Sequence, residues 1–143
     1  MSHESEPRQD ICSRFNQMHW HDSKLIGFHL VPKSDSRYDV NVDLQLLTNA
    51  QPGQYSWKDA RLEFQDCRIM QLSVDTLGIQ FTGGDIATAF CEGGAALKEK
   101  LETRFFDLPQ GDDPYEGILH FRILLIPPGG EIDVFARDFV MID

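Results

Sequence analysis

The spacing of apolar residues changes period along this chain, and each period implies an element. Ile11, Phe15 and Met18 recur at i, i+4 and i+7, which predicts a short amphipathic helix over about residues 8 to 18 after a polar, frayed stretch at 1 to 9. From Leu25 the period falls to two. Ile26, Phe28 and Leu30 alternate with Gly27 and His29, and "YDVNVDLQLL" sets Val40, Val42, Leu44 and Leu46 against Asp39, Asn41, Asp43 and Gln45. That is the signature of a half-buried antiparallel pair. Pro52-Gly53 marks a type II turn, and alternation resumes through Leu62 and Phe64, then through Met70, Leu72 and Val74, with "LGIQFTGG" as a further short strand.

Gly83-Gly84 interrupt this meander. Asp85 is placed to cap a turn of helix containing Ile86, Ala89 and Phe90, ended by Gly93-Gly94. Leu97, Leu101 and Phe105 then recur every fourth residue and predict a second helix. The last quarter reads as a long hairpin, "ILHFRILLI" and "EIDVFARDFVMI" around "PPGG". Its arms are apolar on both faces, with Phe135 and Phe139 opposite Ile132 and Val134. Such strands are covered twice, by a helix or by a second copy of the chain.

About seven strands with one or two helices predict an α+β fold, mainly antiparallel sheet with the helices packed on it. A small β-sandwich or a partly open barrel is the alternative. No linker, repeat or low-complexity tract divides residues 1–143, so a single domain is expected. A chain of this length can bury roughly 68% of the surface it exposes when unfolded, enough for one core without staples.

Composition narrows the function classes. Thirteen basic against 23 acidic residues give a formal charge of -10, which repels phosphate backbones and anionic lipid and favours a basic protein partner. Neither nucleic acid nor a membrane is an expected partner. No apolar run suits a secretory signal or a membrane span, so a cytoplasmic protein is expected. Cys12, Cys67 and Cys91 form an odd set without Cys-x-x-Cys spacing; reduced thiols, with Cys67 and Cys91 as small hydrophobes, are the simplest reading.

The densest chemistry is His19-Trp20-His21-Asp22, just before the first strand. If extended, it points His19 and His21 the same way, where His29 or His120 could join them around a metal ion. The structural alternative is an Asx- or Ser-turn in which the Asp22 carboxylate accepts backbone N–H groups and Trp20 fills the core edge. A third reading makes His19, Trp20, His21 and Asp22 a binding lip. The glycine pairs match no phosphate-binding fingerprint, and Asp85 and Glu92 beside them would repel an anion. Asp112, Asp113 and Glu116 share a late loop, yet no nucleophile elbow or catalytic constellation accompanies them. An enzyme is left open without support, and no cofactor is expected.

Trp20-His21-Asp22-Ser23 leading into "KLIGFHLV" resembles small bacterial families of uncharacterised domains, some of them classed as immunity proteins of toxin systems. The resemblance implies a bacterial protein that masks a toxin by binding it. An acidic face of Asp39, Asp43 and Glu63 would suit a basic toxin. The expected function is therefore a non-enzymatic, immunity-protein-like binding domain, with a homodimer through the C-terminal hairpin. A metal-binding module or metal-dependent enzyme using His19 and His21, and a structural subunit of a larger assembly, are the alternatives.

Overall fold

The computed structural model describes residues 8–33, 37–49, 51–78, 83–93, 117–127 and 129–142. The helix expected through Leu97, Leu101 and Phe105 and the loop with Asp112, Asp113 and Glu116 lie outside them, as do residues 79–82 of the strand expected at 77–84, whose described ends are a helical turn at Leu77-Gly78 and a turn at Gly83-Gly84 instead. Within the described residues are a nine-residue helix, α1 (Arg8–Asn16), a helical turn at residues 76–78, and eight strands: β1 (Lys24–Pro32), β2 (Tyr38–Asn49), β3 (Ser56–Gln65), β4 (Ile69–Val74), β5 (Ile86–Gly93), β6 (Leu119–Leu125), β7 (Gly130–Ala136) and β8 (Asp138–Ile142). They form two four-stranded antiparallel sheets, sheet A in the order β1-β2-β3-β8 and sheet B in the order β4-β7-β6-β5. The fold is α+β, mainly antiparallel, and not a closed barrel.

The period-two segments become β2 and β3 because alternation gives each one apolar face. Val40, Val42, Leu44, Leu62 and Phe64 point inward, against Phe121, Ile123, Ile132 and Val134 of sheet B, in one core. Pro52-Gly53 turns the chain between them as expected, with Gly53 at φ 77 and Gln54 N–H bonded to the Gln51 carbonyl. In α1, Asp10 in the first turn and Arg14 in the last match the helix dipole. Its apolar stripe places Phe15 at the centre of the core, 4.7 Å from Trp20, 5.1 Å from Phe121, 5.0 Å from Phe139 and 6.3 Å from Phe64, ring centre to ring centre. One helical side chain thus touches both sheets.

Sequence reasoning goes astray at β5. Ile86 and Ala89 are three apart, which reads as a helical face, but a register shift between Ile86 and Thr88 adds one residue to the strand. Ile86, Ala89 and Cys91 consequently all bury toward the core. A bulged strand imitates helical spacing locally.

The C-terminal hairpin holds for β6 and β7, but its second arm is two strands. At Arg137 the chain leaves sheet B and enters sheet A, where β8 pairs with β3. β3 crosses likewise into β4 at Asp66-Cys67-Arg68, so β3/β8 and β4/β7 form one ladder bent around a corner. Asp66, at φ 55 and nearly buried, holds that corner. Its carboxylate accepts hydrogen bonds from Arg68 (3.2 Å) and Arg137 (3.0 Å), and its N–H donates to Asp39 (3.0 Å). The crossing also explains the two phenylalanines. Phe139 enters the main core, and Phe135 packs with Ile69 and Ile118 in a second cluster on the far side of sheet B. Both are buried within the chain, so neither supplies the exposed face on which a hairpin dimer was expected.

Sheet B tolerates little change where its strands meet most tightly. Gly130 opens β7 at φ 104, and a Cβ there would come 1.8 Å from the Ser73 carbonyl oxygen. The residue before β5, Asp85, meets β1 through an isolated bridge to Lys24. Among the described residues no helix is long and apolar enough to cross a membrane.

Candidate binding face

The stretch before β1 is a turn rather than an extended run. Ser23 N–H bonds the Trp20 carbonyl (3.0 Å), and Asp22 sits at φ 65, the left-handed conformation that a third turn position requires and that aspartate tolerates. The turn is tied to β5 on two sides: Asp22 N–H donates to the Ile86 carbonyl (2.9 Å), and Ile86 N–H donates to the Ser23 carbonyl (2.7 Å). Ser23 Oγ, fully buried, accepts the Leu47 N–H (3.1 Å). The side chain that captures a backbone N–H is therefore that of Ser23, where the sequence pointed to Asp22. Asp22 contributes its backbone geometry, and its carboxylate lies 3.5 Å from His21 Nε2. Trp20 is 3% exposed and donates its indole N–H to the Phe15 carbonyl (2.9 Å), which removes it from any lip.

The histidines do not converge. His19 and His21 are exposed on the turn, and His21 donates Nδ1–H to the Ala87 carbonyl (3.0 Å). His29 lies on β1 beside Asn41 (3.3 Å), and His120 belongs to sheet B. Among the described residues no three His, Cys, Asp or Glu side chains come together as a metal-binding group.

What the turn does present is Trp57, a residue the sequence reading passed over. Its indole N–H donates to the Asp22 carbonyl (3.0 Å), the Lys24 ammonium lies 4.8 Å from its ring centre, and Tyr55 stacks 6.3 Å away. It remains 39% exposed. The signal was available: Trp57, Asp59, Arg61 and Glu63 continue the alternation of β3 toward its start, with Trp57 on the polar face. A large aromatic among outward-facing charges is a surface feature to be explained.

That face is the outside of sheet A. Asp43 lies opposite Arg61 and accepts its guanidinium (3.1 Å), and Gln45 donates to Asp59 (3.3 Å). Asp39 is engaged by Lys33 (3.4 Å) and by the corner. Asp39, Asp43 and Glu63 do share the face, but the first two carry basic partners, so it is mixed in charge rather than purely acidic. On this face lies an open depression of about 490 Å³ lined by Ile26, Asp43, Asp59, Arg61 and Ile142. Ile26 and Ile142 are 59% and 45% exposed.

The outside of sheet B carries a denser cluster. His120, 7% exposed, bonds Asp133 through Nε2 (2.6 Å), approaches Glu92 through Nδ1 (3.3 Å) and stacks on Phe135 at 4.2 Å. Arg122 reaches Asp133 (3.1 Å) and Glu131 (3.0 Å), and its Glu131 hydrogen bond holds the guanidinium above its ordinary pKa. His120 thus has a carboxylate against each ring nitrogen and Phe135 against its face. The cluster is built as a cross-strand brace.

No family model, curated protein or solved structure matches this chain. The fold and the exposed face define a two-sheet antiparallel α+β domain with a concave, mixed-charge surface on one sheet.

Proposed function

We propose that the protein is a non-catalytic protein-binding domain that seats a basic partner on the outer face of sheet A. Trp57 carries this reading: an aromatic side chain held at the surface by a hydrogen bond and a cation, beside a depression edged by Ile26 and Ile142. A pre-positioned tryptophan beside a depression that mixes isoleucines with charged side chains is a residue type and setting common at protein interfaces. The Arg61–Asp43 pair on this face is exposed, and such a pair is worth at most about 1 kcal/mol, so Asp43 can exchange Arg61 for a partner's cation at small cost. A net charge of -10 steers that partner inward. Masking of a toxin, as the likeness of Trp20-His21-Asp22-Ser23 to immunity-type domains implies, is the form we infer this binding takes.

The test is quantitative affinity purification from the native cells with wild-type protein, Trp57→Ala and Ile26→Asp as baits, each checked for native circular dichroism. A basic protein recovered at fixed stoichiometry by wild type and at least about tenfold less by both variants, ~1.4 kcal/mol of binding, is the expected outcome. Equal recovery by all three baits overturns the assignment of the face. A partner whose toxicity is undiminished by co-expression removes the masking role and leaves the binding one.

A further inference from the structure

Three features outside the binding face carry chemistry: the His120 brace, the exposed edge of β1, and a pair of sulfurs joining α1 to β5. The brace is internally satisfied, and nothing indicates what would cover the β1 edge. The sulfurs are different. Cys12 Sγ on α1 lies 2.7 Å from Cys91 Sγ on β5, well inside the van der Waals separation of two sulfurs, although both are free thiols. The helix is held in register there by one side chain. Asn16 Oδ1 accepts the Cys91 N–H (2.6 Å) and Asn16 Nδ2 donates to the Cys91 carbonyl (3.1 Å), so its amide pairs with β5 as a neighbouring strand would. Cys12 is half-buried and reachable from solvent, while Cys91 is 4% exposed.

We propose that Cys12 and Cys91 are an oxidative modification site, in which a hydroperoxide converts the two thiols into an intramolecular disulfide that fastens α1 to sheet B. The Cys12 thiol gives up its proton as its sulfur attacks one peroxide oxygen, the O–O bond breaks, and the departing hydroxide takes up that proton and leaves as water, giving a sulfenic acid on Cys12. The Cys91 sulfur then attacks the Cys12 sulfur as its own proton leaves, and the sulfenic hydroxyl departs with that proton as a second water. Two thiols lose two electrons and one hydrogen peroxide becomes two waters. The order follows from access, since the oxidant meets Cys12 first and Cys91 is the resolving sulfur behind it. Burial, then the Cys12 hydrogen bond, raises the Cys91 pKa and keeps it from reacting on its own. Closure requires a movement of well under 1 Å, from 2.7 Å to the bonded distance of about 2.05 Å.

The bond would close a long loop and fix the segment that runs from α1 through Trp20 into the turn beneath Trp57. Cys67 is an internal control. Burial and the neighbouring Asp66 push its thiol up to about 12, and it donates to the Ile69 carbonyl.

The experiment treats reduced, full-length protein with hydrogen peroxide and reads intact mass, free thiols after unfolding, non-reducing peptide maps and Tm. Expected are the loss of two of the three thiols, a mass lower by two hydrogens, a Cys12–Cys91 cross-linked peptide and a Tm raised by roughly 10 °C, all reversed by dithiothreitol. Cys12→Ser, at a half-buried helical position, should fold and lose the cross-link and the Tm shift together. A cross-link through Cys67, covalent dimers, or over-oxidised Cys12 with Cys91 still free would overturn the proposal. None of these readouts depends on a partner, so their failure leaves the binding face untouched.

Discussion

The outer faces of the two sheets are built from the same materials and used differently. Each has cross-strand arginine–carboxylate pairs and an aromatic ring. On sheet B the ring, Phe135, is fully buried, His120 lies flat on it, and Asp133 serves both His120 and Arg122. On sheet A the ring, Trp57, is open to solvent, and Arg61 and Asp43 pair in water, with side chains 45% and 39% exposed. Equivalent contacts therefore differ in worth. A sealed ionic contact holds strands together because losing one partner strands the other in a low dielectric, whereas an exposed pair loses little when broken.

Phe135→Ala against Ile26→Ala is the strongest way to break this contrast. The first removes a ring from a closed cluster and should cost about 3 to 5 kcal/mol, and the second should stay within about 0.5 kcal/mol, both read from denaturant midpoints at unchanged m. Near-equal losses would mean that the two faces are equally structural. Next in size is the pair Asp133→Asn and Asp43→Asn. Asp133 is 16% exposed and bonded to both His120 and Arg122, so its neutralisation should cost about 2 kcal/mol, against less than about 1 kcal/mol for Asp43. Raising salt to 1 M should shrink the Asp43 effect further and leave most of the Asp133 effect.

The smallest effect concerns the corner that joins the faces. Cys67 is raised from an ordinary 9.0 to about 12 by burial first and by Asp66 second. Its stabilising contribution is complete below pH 9. Between pH 9 and 12 the unfolded chain has already released the thiol proton while the folded chain retains it, so stability falls as pH rises. Cys67→Ala should be less stable than wild type at neutral pH yet lose less over that alkaline interval. An alkaline loss that is the same in both proteins would remove the thiol from the account.

Much of this was legible along the chain. The strict alternation of β2 and β3 specified strands, faces and the turn at Pro52-Gly53, and Ile11 with Phe15 specified α1, because these features depend only on local period. What escaped depends on geometry that period does not encode. The bulge in β5 puts Ile86 and Ala89 on one face at helical spacing. The crossing at Arg137 involves no glycine or proline, and it sends Phe135 and Phe139 into different clusters despite their even separation. In the candidate site, Trp20-His21-Asp22-Ser23 did mark the chain's approach to β1, but the exposed aromatic beside it comes from β3, brought there by tertiary pairing.

The bent ladder has a kinetic consequence. Every pairing of β8 with β3 joins residues far apart in sequence, as in Arg61 with Ile142 and Gln65 with Asp138. Such pairings are slow because a long loop must be closed before any of them is rewarded, and folding in the millisecond-to-second range is expected. Until Asp138–Ile142 has been synthesised, sheet A has only three strands, and β3 is an open edge that presents Arg61, Glu63 and Gln65 to solvent. These polar side chains, on the edge that waits longest, protect the nascent chain from pairing with its neighbours.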